Sequence, residues 1–182
     1  VMRAAGIAYP DLGAVAVTRG PGAFTGLRIG LAAARGLALA AGIPAIGISA
    51  FDAIAEAVPV AVRQERTLAI AIDSKRGDVY LRRYDAAARP LDDGGVKALN
   101  DVVATLPPGQ IAIAGDGVAM LREVLSSRAR ETRFLDAGAP DAAIVARLGA
   151  AALAAGGPYP PPEPLYLRAP EATPLALQGK KR

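Results

Sequence analysis

Residues 18–36 read TRGPGAFTGLRIGLAAARG, and this stretch constrains the fold more than any other. An apolar run, Ala14-Val15-Ala16-Val17, precedes the glycines and a helix-compatible run follows them, so the chain passes from strand through a tight turn into helix. That order predicts a helix from about Thr25 to Ala41, stopped by Gly42 and Pro44. Gly-rich turns in this context often bind phosphate. Gly20, Gly22 and Gly26, however, give G-x-G-x-x-x-G, one residue longer than the dinucleotide fingerprint. Leu27-Arg28 stand where a P-loop has lysine and a hydroxyl residue, and Pro21 removes one backbone N–H from any such cradle.

Residues four apart stack on one face of a helix. Gly26, Gly30, Ala34, Ala38 and Gly42 therefore form a row with nothing larger than a methyl group. Ile29, Ala33 and Leu37 flank it on one side, Leu27, Leu31 and Leu39 on the other, with Arg28 and Arg35 outside. Glycine inside a helix costs about 0.5–1 kcal/mol relative to alanine, so the row must be compensated by close approach. Packing on the chain's own sheet and packing against a helix of another chain both exploit the same loss of volume. Spacing leaves both open.

Further along, Val1–Gly6 reads as the end of a helix closed by glycine, and Ala45–Ile48 as a second short strand, with Ser49 placed to cap a helix from Phe51 to Val58. A polar break at 59–65 suggests a lobe boundary, dividing the chain into a first lobe at 1–62, a second at 63–157 and an extended segment at 158–182. Thr67–Ile72 and Asp78–Tyr84 read as a hairpin turning through Lys75-Arg76-Gly77. Asn100 or Asp101 is expected to cap a helix ending at Leu106, followed by a strand at Gln110–Ala114 and helices at Gly117–Ser127 and Ala142–Ala155. The stretch PYPPPEPLYLRAPEATP is too rich in proline for regular structure and should lie extended over the surface. Strands alternating with helices point to an α/β chain with a mixed sheet.

Composition narrows the chemistry. Hydrophobic residues make up 52% but aromatic ones only 4%, which favours aliphatic helix packing. With no cysteine and no histidine, this sequence has no thiol nucleophile, thiolate zinc site, imidazole base or histidine metal ligand. Lys180, Lys181 and Arg182 supply three of the +4 net charge, so the basic balance belongs to a solvated tip more than to a nucleic-acid surface. No uninterrupted apolar run of membrane length stands out, and the chain is expected to be cytoplasmic.

At this point the residues are recognisable. RGPGAFTGLRIGLAAARGLALAAGIPAIGISAFDAIA resembles the TsaB (YeaZ) family, bacterial proteins needed with TsaD and TsaE to make threonylcarbamoyladenosine in tRNA. AIDSKRGDVYLRRYD at 71–85 is similar to that family's second-lobe hairpin, and PEPLYLR at 162–168 to its C-terminal P-x-Y-L-R. The resemblance runs from about Ala14 to Arg168. It implies an actin-like or Hsp70-like ATPase fold (ASKHA, RNase H-like) with two related lobes, and a non-catalytic paralogue of TsaD. The implied partners are TsaD as a heterodimer, TsaE through the complex, tRNA indirectly, and a second copy when alone, with no membrane. The family usually begins with a hairpin and an interface helix that are missing here, so the first lobe is expected to be N-terminally truncated, with an open sheet edge.

Two sets of site residues follow. The resemblance makes the helix at 25–41 an interface helix, and Gly26, Arg28, Ile29, Gly30, Ala33, Ala34, Leu37 and Ala38 its partner-binding residues. Asp73 sits where ATPases of this fold place a phosphate-contacting aspartate, with Lys75 beside it, and Gly115-Asp116-Gly117 follows a strand as a nucleotide-contacting turn would. An aspartate at a strand end is also an ordinary turn cap, and G-D-G an ordinary connection. Asp73 and Asp116 are expected to converge only if the lobes close. The resemblance implies no intrinsic cofactor and no metal site, ATP or ADP with magnesium belonging to the TsaD–TsaB–TsaE complex; TsaD-like members bind metal through histidines, which this sequence lacks.

Overall fold

The computed structural model describes residues 1–128, 131–135 and 137–168; the basic tip at Lys180, Lys181 and Arg182 lies outside them. The elements run α1 Met2–Ala5, β1 Val15–Thr18, α2 Phe24–Ala41, β2 Ala45–Ile48, α3 Ala50–Ala57, α4 Val60–Glu65, β3 Thr67–Asp73 and β4 Asp78–Tyr84. They continue with β5 Gly95–Ala98, α5 Leu99–Thr105, β6 Ile111–Ala114, α6 Val118–Val124, β7 Thr132–Phe134 and α7 Ala142–Ala154.

β1 and β2 pair in parallel, Val15 opposite Ala45, joined by the α2 crossover. Alternate residues of a strand face opposite sides. Ala16 accordingly meets α7, where Gly149 leaves room for it, while Val17 meets α2 at Gly30. Among the described residues β1 pairs with β2 alone, so its other edge is open.

The second sheet has the order β5-β4-β3-β6-β7. β3 and β4 form the expected antiparallel hairpin, Asp73 opposite Val79, and β6 and β7 join in parallel. TLAIAID in β3 is apolar on both faces because both are covered. Leu68, Ile70 and Ile72 pack with Phe51 and Ile54 of α3 and with Val58 at its C-cap. Ala69 and Ala71 pack on the other side with Val102, Val118 and Leu121 of α5 and α6. This mixed sheet and the parallel β-α-β unit beside it are the α/β, actin-like architecture.

Several expectations need correction. α7, assigned by sequence to the second lobe, packs on β1 and β2 through Val145, Ile144 and Leu148, so the chain returns to the first lobe before its end. Ser49 stands at the N-cap of α3 without a side-chain cap hydrogen bond. Ala98 occupies the N-cap of α5, displacing Asn100 and Asp101 into its first turns, because β5 runs directly into the helix. β5, β7 and α4 were not foreseen. α2, with 18 residues and mean hydropathy 1.2, is long and apolar enough by composition to cross a membrane, against the expectation of no such run. Leu31, Ala34 and Ala38 instead lay it on its own sheet.

Candidate functional site

Two neighbouring features hold the sequence-predicted residues. The first is the end of the second sheet. β3 and β6 are adjacent parallel strands, so the residues leaving their C-terminal ends meet within one lobe. Asp73 N–H donates to Asp116 Oδ1 at 2.8 Å; convergence needs no lobe closure, contrary to the expectation. Gly115 makes the approach possible: at φ +111°, it brings its α-carbon against the Ala71 carbonyl, where a β-carbon would overlap.

Lys75 completes this cluster. Its Nζ lies 2.8 Å from Asp73 Oδ2 and 3.7 Å from Asp116 Oδ2. Asp73 also accepts the Lys75 N–H at 2.7 Å, as an aspartate capping its own turn does. The Lys75 ammonium, bonded to the carboxylate, holds Asp73 below the usual carboxylate range and is itself raised. A single internal cation thus bridges the two carboxylates, bonded to Asp73 and more distant from Asp116. Among the described residues no group of three or more acidic side chains is placed to hold a metal ion. With a lysine lying between the two carboxylates and no third acidic side chain grouped with them among the described residues, these residues fit a capped turn and do not fit a magnesium site.

The second feature is a cleft of about 980 Å³ between the lobes. The first turn of α2 forms one wall, the 74–76 turn of the hairpin another, and residues 165–168 a third. That last wall belongs to an extended strap over 158–168, as the prolines required. Gly47 N–H donates to the Pro160 carbonyl at 2.9 Å, and Leu165 N–H to the Arg19 carbonyl at 2.7 Å. Arg168 Nη2 then donates to both oxygens of Asp78 at 2.6 Å, tying the strap to β4. Burial raises the Asp78 carboxyl, but the Ser74 hydroxyl and Arg168 outweigh it and hold the group below its ordinary value.

Beyond its first turn, α2 presents the predicted interface. Its row of small residues divides. Ala34 and Ala38 are buried against the chain's own strands and Gly30 faces Val17, so these three pack inward, where no partner can reach Ala34 and Ala38. The physical reason is the close approach of helix to sheet that the missing side chains permit. Gly26, Arg28, Ala33 and Leu37 stay exposed, and Ile29 is 66% and Leu39 85% accessible. Sequence reasoning missed Phe24, Tyr166 and Arg168, which frame the cleft; the P-x-Y-L-R motif was the signal, but only the fold brings it back to α2.

The family profile described as "TsaD: tRNA N6-adenosine threonylcarbamoyltransferase" matches residues 1–156. The chain is 37% identical over 108 residues to the tRNA threonylcarbamoyladenosine biosynthesis protein TsaB of Escherichia coli, covering 59% of this chain and 44% of that protein. It is 34% identical over 173 residues to an uncharacterized protein of Mycobacterium bovis, covering 95% of this chain and 72% of that one. The solved structure of YeaZ from Pseudomonas aeruginosa superposes with a TM-score of 0.73 at 25% identity, over 92% of this chain and 80% of that chain. The chain thus spans less than half of its Escherichia coli relative and more of the others. The profile match, the shared fold and the TsaB-like relatives agree: the chain belongs to the TsaD family, on its TsaB/YeaZ branch.

Proposed function

We propose that the chain is a non-catalytic partner of TsaD in the N6-threonylcarbamoyladenosine modification of tRNA at position 37, acting in the cytoplasm as a dimerising scaffold or activator. The observation that carries this reading is the outer face of α2. Ile29 and Leu37 are 66% and 44% accessible on a helix whose other side is already packed, leaving them without a partner among the described residues. The name of the Escherichia coli relative supports the pathway. TsaD is the partner, TsaE is reached through the complex, tRNA is contacted indirectly, and a homodimer forms when the chain is alone.

The test is calorimetric titration with TsaD from the same organism. Wild type should bind one to one, and Leu37→Asp should abolish binding while leaving the thermal midpoint unchanged. Wild-type affinity in the folded variant overturns the reading.

A second reading, a weak nucleotide-binding or ATPase module, draws on the cleft, where Arg28, Lys75 and Arg168 surround a space flanked by Tyr80 and Tyr166. The Lys75 ammonium between Asp73 and Asp116 speaks against magnesium there. This reading predicts calorimetric binding of Mg-ATP that Asp73→Ala removes; absence of wild-type binding ends it.

A further inference from the structure

Asp73 and Asp116 are arranged alike. Each commits one carboxylate oxygen to a backbone N–H: Asp73 Oδ1 accepts from Lys75 at 2.7 Å, and Asp116 Oδ1 from Asp73 at 2.8 Å. Each turns its other oxygen, Oδ2, toward one point, and the Lys75 ammonium stands there, at 2.8 and 3.7 Å. Carboxylates anchored by the backbone and aimed at a common point are the donor set of a hard cation, and magnesium is held by as few as one or two of them with water completing its shell. Here a side chain fills that point.

The backbone brings all three groups together. β3 and β6 are parallel neighbours, so Asp73 and the turn after Ala114 leave the sheet side by side. Gly117 N–H donates to the Ala71 carbonyl at 3.0 Å and fixes that turn against β3. Lys75 adopts φ +63°, in the left-handed region that residues other than glycine, asparagine and aspartate rarely enter. From there its ammonium reaches back to residue 73. Asp78, whose charge also acts on Asp73, is engaged by Ser74 and Arg168 and adds no oxygen to the point. The hydrogen bond between them holds Asp73 below the ordinary carboxylate range and Lys75 above the ordinary lysine value, so both are charged at neutral pH.

We infer that Lys75 is a built-in substitute for a divalent cation: its ammonium occupies the point at which Asp73 and Asp116 would otherwise hold a metal ion, so the chain excludes magnesium there and keeps this end of its second sheet permanently fastened. An actin-like ATPase fold leads one to expect magnesium with its nucleotide, and the disagreement has a physical cause. A cation tethered two residues away cannot diffuse off, and a free ion must displace it against its effective concentration. The inference is independent of the α2 reading. It also holds whether or not the cleft takes a nucleotide, but it is incompatible with magnesium held by Asp73.

The test uses the full chain, with manganese, followed by its paramagnetic resonance signal, as the probe for binding and magnesium as the probe for stability. Wild type should leave the manganese signal unchanged, and about 10 mM magnesium should move its thermal midpoint by less than about 1 °C. Lys75→Met keeps the stem and removes the charge. It should bind one manganese ion at least about tenfold more tightly than wild type and gain about 3 °C in magnesium. Lys75→Gly, which suits the left-handed turn position, should behave in the same way and serves as the second variant if Lys75→Met does not fold. Lys75→Met/Asp116→Asn should lose the gain, because one of the two converging oxygens is replaced. Manganese binding by wild type as tight as by Lys75→Met overturns the inference. So does the absence of manganese binding in folded Lys75→Met or Lys75→Gly, and so does a gain that survives Asp116→Asn, since the ion would then sit elsewhere.

Discussion

Single residues carry sharply different demands in this chain. Gly115 combines φ +111° with a carbonyl lying where a β-carbon would stand, so Gly115→Ala pays twice, in backbone strain and in overlap. It should lower stability by about 2 kcal/mol or more, measurable by chemical denaturation, and loosen the Asp73–Asp116 contact. Gly30 is different. It faces Val17 in the chain's own sheet at an ordinary contact distance, so Gly30→Leu should destabilise the first lobe itself and is a poor probe of association. Tyr84, fully buried, donates its hydroxyl to Asp52 Oδ1 at 2.6 Å. Burial first, and then Asp52, push its ionisation far upward, so it stays a neutral donor at any ordinary pH. Tyr84→Phe should cost about 1–2 kcal/mol by thermal or urea unfolding.

Among elements, the strap and the β3–β4 turn share an electrostatic fastening with a definite pH dependence. Asp78 and Asp73 both titrate below the ordinary carboxylate value when folded. Each therefore contributes stability that is complete above its unfolded pKa, about 3.9, and is lost as pH falls through the folded value. The groups facing Asp78 are Ser74, Arg76 and Arg168, with Asp73 near enough to repel it. Urea unfolding of wild type and Asp78→Asn should show a stability gap at pH 7 that closes as pH falls through the lowered folded value of Asp78. An unchanged gap there would show that the pair adds nothing through its charge. The α2–sheet contact, by contrast, is apolar and should not respond to pH in this range.

For the whole molecule, the arrangement of α3 and α7 matters most. α3 packs Phe51 and Ile54 into the second sheet and Ala53 toward the first, and α7 closes the first sheet from the far side. The two lobes are thus joined by a shared helical layer as well as by the strap. The outer face of α2 takes no part in this layer, so charged substitutions there should spare the fold. Ile29→Asp and Leu37→Asp should shift the thermal midpoint by less than about 2 °C while changing association, because surface substitutions away from packing rarely exceed 0.5 kcal/mol. Circular dichroism melting alongside sedimentation separates the two effects.

The continuous apolar run of β3, the turn at Lys75-Arg76-Gly77 and the glycine stop at Gly42 were legible because local chemistry specifies them: a short apolar run bounded by turn residues, a left-handed position and a helix terminator act within a few residues. The absence of histidine and cysteine excluded whole classes of chemistry without any fold. The short strands β5 and β7 carry no such local signal, since pairing at a sheet edge depends on the neighbour that receives them. The facing of the small-residue row on α2 was equally undetermined. Glycine and alanine permit close approach on either side, and only the position of β1 decided that Ala34 and Ala38 point inward while Ile29 and Leu37 remain outside. Tyr166 reaches Arg28 across 138 residues of sequence, and Arg168 reaches Asp78 across 90; no local rule encodes contacts of that span, which exist only because α7 brings the chain back to the first lobe and leads the strap across both.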